Sequence, residues 1–271
     1  MSVHKETKRV STKTVSEMKN SGEKISMLTG YDFSMAGILD KAGIDIILVG
    51  DSAANVFAGH ETTLPMTLDQ MIYHASAVVK AARRAMVIVD LPFGTYQGCP
   101  NEALRSAVRI MKESGAHGVK VEGGTEIREG VEKMVGAGIP VMGHLGLTPQ
   151  SINQFGSFGL RAAKAGEAHT LSQNFQALQE AGCFAVVLEK IPAKLAAEIS
   201  SHSRIPTIGI GAGPDCDGQV LVVNDMLGMT ENFKPKFLRQ YLDLNNQISG
   251  AVQQYIQDVK QGSFPNENEQ Y

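Results

Sequence analysis

Short apolar runs alternate along this chain with longer stretches in which apolar positions recur every three or four residues. The runs predict buried strands over 24–30, 45–50, 86–90, 118–122, 140–144, 184–189, 206–210 and, less sharply, 220–223. The longer stretches predict helices over 33–42, 68–83, 101–114, 125–137, 167–181 and 192–201. Several of these helices run into Gly just before the next strand, as in "DKAGID", "KESGAHG" and "QEAGCF", where a left-handed C-cap turns the chain back. Strands that are apolar on both faces and alternate with helices point to a parallel sheet. The regular rhythm favours a closed (β/α)8 TIM barrel, with a doubly wound open sheet as its rival.

No Pro/Ser-rich linker or internal repeat interrupts the pattern, so 1–271 reads as a single barrel domain. A short N-terminal helical extension precedes it and C-terminal helices follow it. The tail over 234–260 is expected to be helical, with Phe237, Tyr241, Leu244, Ile248, Val252 and Ile256 on one stripe. That stripe suits a neighbouring subunit or the chain's own barrel equally well.

Composition narrows the function more than the fold. The 271 residues fit one α/β barrel, since such domains run to roughly 250 residues. A net charge of −3 gives no electrostatic reason to expect a nucleic-acid partner, and the absence of Trp disfavours base stacking. No apolar run approaches the ~20 residues of a membrane span, and the polar N-terminus has no signal-peptide core. Cys99, Cys183 and Cys216 are widely spaced, with no C-x-x-C, and read as reduced thiols of a cytoplasmic enzyme.

The candidate chemistry lies where the strands end. "DIILVGDS" breaks from apolar residues into Gly50, Asp51 and Ser52; the next strand ends at Asp90, then "VKVE" at Lys120 and Glu122, "VMGH" at His144 and "VVLE" at Glu189. In a parallel barrel all these ends open onto one face, where barrel enzymes place their active sites. Asp51 and Asp90 end neighbouring strands, and two hard carboxylates suit Mg2+ or a similar divalent cation; either Asp could instead cap a turn. Period-two spacing puts Lys120 and Glu122 on one face, as a site pair, an internal ion pair, or both. Glu189, at the end of an apolar strand, suits a general base or a helix cap. His144 suits a hydrogen bond to a substrate oxygen or a satisfied core position. "GIGAGPDCDG" fails the dinucleotide fingerprint, because Pro214 stands where the third glycine belongs. No H-E-x-x-H, G-x-S-x-G or P-loop is present.

The motifs "ILVGDS", "GHETTLPMT", "VDLPF", "VKVEGG", "VMGHLGLTPQS", "VVLEKIP" and "IGIGAGPDCDGQVLV", in this order, resemble the 3-methyl-2-oxobutanoate (ketopantoate) hydroxymethyltransferase family. The resemblance runs from about Ile25 to the C-terminus. It implies a barrel of the phosphoenolpyruvate/pyruvate-binding superfamily, a homo-oligomer of decamer size and a step in pantothenate synthesis. It implies transfer of a hydroxymethyl group, formed from 5,10-methylenetetrahydrofolate and water, to 3-methyl-2-oxobutanoate through a metal-stabilised enolate, giving 2-dehydropantoate and tetrahydrofolate. Carried over by motif, Asp51, Asp90 and Glu122 hold Mg2+, and Asp51, Ser52, Asp90, Lys120 and His144 face the oxoacid. Glu189 takes the proton. The sequence departs from the family wording at "GSFGLRAAKAGEAHTL" after Phe155 and at Asn224. The rivals are another Mg2+-dependent oxoacid lyase or mutase, and a catalytically silent barrel. The first lacks the K-K/R-C-G-H signature here, and the second is expected to lose its carboxylates.

Overall fold

The computed structural model describes residues 8–231 and 233–271, and the chain divides into two compact units, Met1–Val222 and Val223–Tyr271. The first unit begins with helix α1 (Thr12–Ser21) and then alternates strand and helix: β1 (Ile25–Thr29), α2 (Phe33–Ala42), β2 (Ile46–Val49), α3 (Ala53–Val56), α4 (Leu68–Ala81), β3 (Met86–Asp90), α5 (Pro100–Ser114) and β4 (Gly118–Glu122). A 3-10 turn (Thr125–Ile127) leads into α6 (Arg128–Gly136), followed by β5 (Val141–Gly146), a second 3-10 turn (Pro149–Ser151), α7 (Ile152–Phe155), α8 (Ala165–Glu180), β6 (Ala185–Glu189), α9 (Ala193–His202), β7 (Thr207–Ile210) and β8 (Gly218–Leu221). All strand pairs are parallel, and β8 pairs with both β7 and β1, which closes an eight-stranded barrel. The expected barrel is therefore the observed one.

Local signals explain the element ends. Asp32 caps α2 by accepting from the Met35 N–H, and Thr67 and Gln70 form a reciprocal capping box on α4. β2, β3 and β4 are buried at every residue, as parallel strands covered on both faces must be. β5 runs two residues further than its apolar run. β8 starts earlier than the apolar pattern suggests, because its exposed Gln219 hides a strand set by pairing with β1 and β7.

The interior is apolar at one end and polar at the other. Ile25, Met27, Ile46, Leu48, Met86, Ile88, Met142, Val187 and Ile208 pack in one cluster with Val15 and Met18 of α1. Helix α1 thus closes the end of the barrel where the strands begin. Fully burying Val15 and Met18 is worth roughly 1.5–3 kcal/mol each. Lys19 fastens the same helix by an ion pair with Asp217 at 2.8 Å, and Asp217 also accepts from the Thr207 N–H at 2.8 Å. With this end plugged, the strand carboxyl ends face the open side.

The second unit contains α10 (Val223–Met226) and α11 (Leu244–Gln261). The helix expected over 234–260 is shorter than its apolar stripe. Residues 234–243 are irregular apart from a turn at 236–237; the Tyr241 N–H bonds the Met226 carbonyl, and the Leu244 N–H that follows bonds the Leu227 carbonyl. Pro235, which supplies no N–H, lies in this stretch, so Phe237 and Tyr241 fall outside the helix. In α11 no residue is buried, and Ile248, Val252, Tyr255, Ile256 and Val259 are exposed.

Candidate active site

Register brings the strand-end residues side by side. Asp90 of β3 pairs with Lys120 of β4, and Glu122 of β4 pairs with His144 of β5. Glu189 of β6 pairs with Gly146, beyond the His144–Val187 pair. The Lys120 ammonium lies 2.8 Å from Asp90 Oδ1, 4.0 Å from Glu122 Oε1 and 3.4 Å from His144 Nδ1. His144 Nδ1 lies 3.2 Å from Glu122 Oε1, while its Nε2 is 3.2 Å from Glu189 Oε2 without hydrogen-bond geometry. The backbone N–H of Asp51 donates to Asp90 Oδ2 at 3.0 Å. Asp51, Asp90, Lys120, Glu122 and His144 are all buried, each 5% exposed or less. The Glu189 side chain is more open, at 16%.

Gly50 is required by close approach. A Cβ there would lie 2.7 Å from Ser52 Oγ and 3.5 Å from Asp90 Oδ2. The Ser52 hydroxyl is itself held by the Tyr31 hydroxyl at 2.8 Å. After Glu189 the chain turns sharply, with Lys190 at φ 46, a left-handed conformation that costs a non-glycine residue on the order of 1–3 kcal/mol. Backbone bonds hold this turn: Lys190 N–H to Ile210, Arg161 N–H to Lys190, and Leu147 N–H to the Glu189 carbonyl.

Electrostatics follow from this crowding. Burial first, then the charges of Asp90 and Glu122, push the Asp51 carboxyl well above the usual range. Burial opposes the Lys120 charge, but Asp90, Glu122 and Asp51 outweigh it and keep the amine protonated. For His144, burial and Lys120 pull the imidazole down, while Glu122 and Glu189 overcome both and raise it to about 9. Glu122 is raised by burial, yet contacts with His144 and Lys120 bring it below its ordinary value. Four carboxylates, Asp51, Asp90, Glu122 and Glu189, thus face two cations, Lys120 and His144. With all four ionised, the site would be short of two positive charges, and that shortfall adds to burial in pushing the Asp51 carboxyl up.

That shortfall fits a hard divalent cation bound through oxygen, although the buried Asp90 Oδ1 is already met by the Lys120 ammonium at 2.8 Å. Among the described residues no three His, Cys, Asp or Glu side chains gather closely enough to hold an ion as they stand. Donors already occupy the oxygens: Lys120 sits at Asp90, and the Gln150 amide donates to Asp51 Oδ2 at 2.8 Å.

Comparison with known proteins decides the family. The ketopantoate hydroxymethyltransferase family model matches residues 9–267. The chain belongs to that family. A 3-methyl-2-oxobutanoate hydroxymethyltransferase of Cytophaga hutchinsonii is 64% identical over 264 residues, covering 97% of each chain. One from Flavobacterium johnsoniae is 62% identical over 267 residues, covering 98% of each. Among solved structures, a 2,3-dimethylmalate lyase of the PEP mutase/isocitrate lyase superfamily superposes with a TM-score of 0.59 at 13% identity, over 96% of this chain and 91% of its own. A phosphonopyruvate hydrolase in complex with oxalate and Mg2+ gives 0.62 at 11% identity, over 95% and 92%. These likenesses are of fold alone, a closed eight-stranded parallel barrel. The chain is an enzyme that transfers a hydroxymethyl group to 3-methyl-2-oxobutanoate, in the pantothenate pathway.

The structure adds residues to this family member's site that the motifs do not single out. Gln150 and Tyr96 sit between the carboxylates, Tyr96 accepting from the Glu122 N–H at 2.9 Å. Burial and the Glu122 charge push the Tyr96 phenol well up, so it stays a hydrogen-bond donor. A cavity of about 460 Å³ beside Glu122 and Gln150 is walled by Phe93, Ile127, Leu145, Phe155 and Leu171, with Arg161 on its rim. Arg161 stacks on the Phe155 ring at 3.8 Å and pairs with Glu167.

Proposed function

We propose that the transfer uses 5,10-methylenetetrahydrofolate as donor and proceeds through an enolate formed at C3 of the oxoacid, with Mg2+ held by Asp51, Asp90 and Glu122. The observation that carries this reading is the buried cluster itself, with four carboxylates, one ammonium and one imidazole on the open face. When bound, the cation supplies Lewis-acid charge at the ketone oxygen. The protein's own groups do the rest.

Glu189 is the proton acceptor, being the most open of the four carboxylates and aimed by the turn at Lys190. Lys120 and His144 present fixed positive charge toward the oxoacid's carboxylate and developing oxyanion, preorganised by Asp90 and Glu122. Ser52, oriented by Tyr31, donates to the oxoacid. The apolar-walled cavity beside Glu122 gives room for a fused-ring donor. The exposed apolar residues of α11 support a homo-oligomer, for which we carry forward the decamer of the family resemblance. No helix among the described residues is long and apolar enough to cross a membrane. The three free cysteines are compatible with the cytoplasm.

The test is to incubate the protein with 3-methyl-2-oxobutanoate deuterated at C3. The expected result is label loss that requires Mg2+ and no donor, then 2-dehydropantoate once the folate donor is added. Product formed with no dependence on divalent cation, or from formaldehyde alone at the same rate, would overturn the reading.

A further inference from the structure

We propose that Gln97 and Gln150 form an amide relay that fixes which way the Asp51 carboxylate points, making both of them positioning residues for the reaction. The inference rests on the role given to Asp51 above and extends it to residues that act on the cation through Asp51.

The relay has a defined direction because it starts at a group that can only donate. The backbone N–H of Gly94, in a turn at φ 83 that suits glycine, donates to Gln97 Oε1 at 2.8 Å. This orients the Gln97 amide so that its Nε2 donates to Gln150 Oε1 at 2.8 Å. The buried Tyr96 hydroxyl also lies 2.8 Å from Gln150 Oε1. With its oxygen engaged on that side, Gln150 turns its Nε2 inward, where it donates to Asp51 Oδ2 at 2.8 Å and to the Leu91 carbonyl at 3.0 Å. A flipped Gln150 amide would set oxygen against oxygen at Asp51 and at Leu91, and nitrogen against nitrogen at Gln97. The Gln150 backbone N–H meanwhile donates to Glu122 Oε2 at 2.9 Å. One residue therefore anchors two of the carboxylates, and every polar group of its side chain is used.

The amides lie in the loop after β3 and in the 3-10 turn after β5, both at the strand carboxyl ends. Gln150 is 5% exposed, but Gln97 is exposed. An exposed glutamine can be replaced with little effect on the fold, which separates positioning from stability. Outer hydrogen bonds of this kind change metal affinity or activity by roughly 10–100-fold when removed.

The experiment measures Mn2+ binding to the full chain without substrate, by the loss of the free-ion electron paramagnetic resonance signal, beside thermal melting. Gln150→Met is expected to weaken Mn2+ by at least about tenfold. Gln97→Met, which removes only the outer donor, is expected to weaken it about threefold or more with an unchanged melting temperature. Gln97→Met binding as tightly as the parent, or Gln150→Met losing less than about threefold, overturns the relay while leaving the metal reading intact. A parent protein that binds no Mn2+ overturns both.

Discussion

Lys120→Met removes a single charge from the centre of the carboxylate cluster. The ammonium lies 2.8 Å from Asp90 and 4.0 Å from Glu122, with side chains no more than 5% exposed. At an effective dielectric of ~20 those separations give Coulomb energies of roughly 6 and 4 kcal/mol. Desolvation offsets most of that sum, and removing one partner of a buried pair costs roughly 3–5 kcal/mol because the other charge is left uncompensated. For a barrel of this size, 1 kcal/mol moves the melting temperature by about 2–4 °C. The metal-free variant is therefore expected to melt about 10 °C below the parent, a value rounded from that range. A divalent cation replaces part of the missing charge, so Mg2+ should raise the melting temperature of Lys120→Met more than that of the parent. The assay is differential scanning fluorimetry with and without Mg2+, after chelation. A metal-free variant melting within about 2 °C of the parent would refute the reasoning, as would an equal Mg2+ increment in both proteins.

Other parts of the structure make separate predictions. Met18→Ala at the closed end should cost about 2–5 kcal/mol in denaturant unfolding, with kcat unchanged. Gly50→Ala places a methyl 2.7 Å from Ser52 Oγ; it should raise the KM for the oxoacid about tenfold or more, read by steady-state kinetics. His117 accepts the Val87 N–H at its Nδ1, and burial, then Arg9, lowers its imidazole to about 4. The unfolded chain binds that proton first, so this contribution to stability is full above pH ~6.5 and is lost as pH falls toward 4. A histidine NMR titration should place His117 near 4, and a value near 6.5 would contradict the burial argument.

The strands were legible because parallel strands buried on both faces must be apolar throughout, and β3 and β4 match their expected limits. β8 was blurred because Gln219 interrupts it, and closure by β1 and β7 defines it instead. The tail misled because residues 234–243 continue the apolar spacing of α11 while Pro235 and the local backbone bonds hold a largely irregular segment. In the site, the charged strand ends advertised themselves by breaking apolar runs. Gln97, Gln150, Tyr96 and Tyr31 gave no such signal, since polar residues in loops are ordinary and their partners are distant in sequence. The one usable hint was Pro149, which opens the 3-10 turn that carries Gln150.

The central claim is that Glu189 takes the C3 proton from an oxoacid held in the carboxylate cluster. Its most direct test compares deuterium loss from C3 of 3-methyl-2-oxobutanoate in the parent and in Glu189→Gln, with Mg2+ and no folate donor. The account predicts exchange in the parent and a fall of at least about a hundredfold in the variant, with oxoacid affinity within a few-fold of the parent. Exchange in Glu189→Gln at the parent's rate would contradict it.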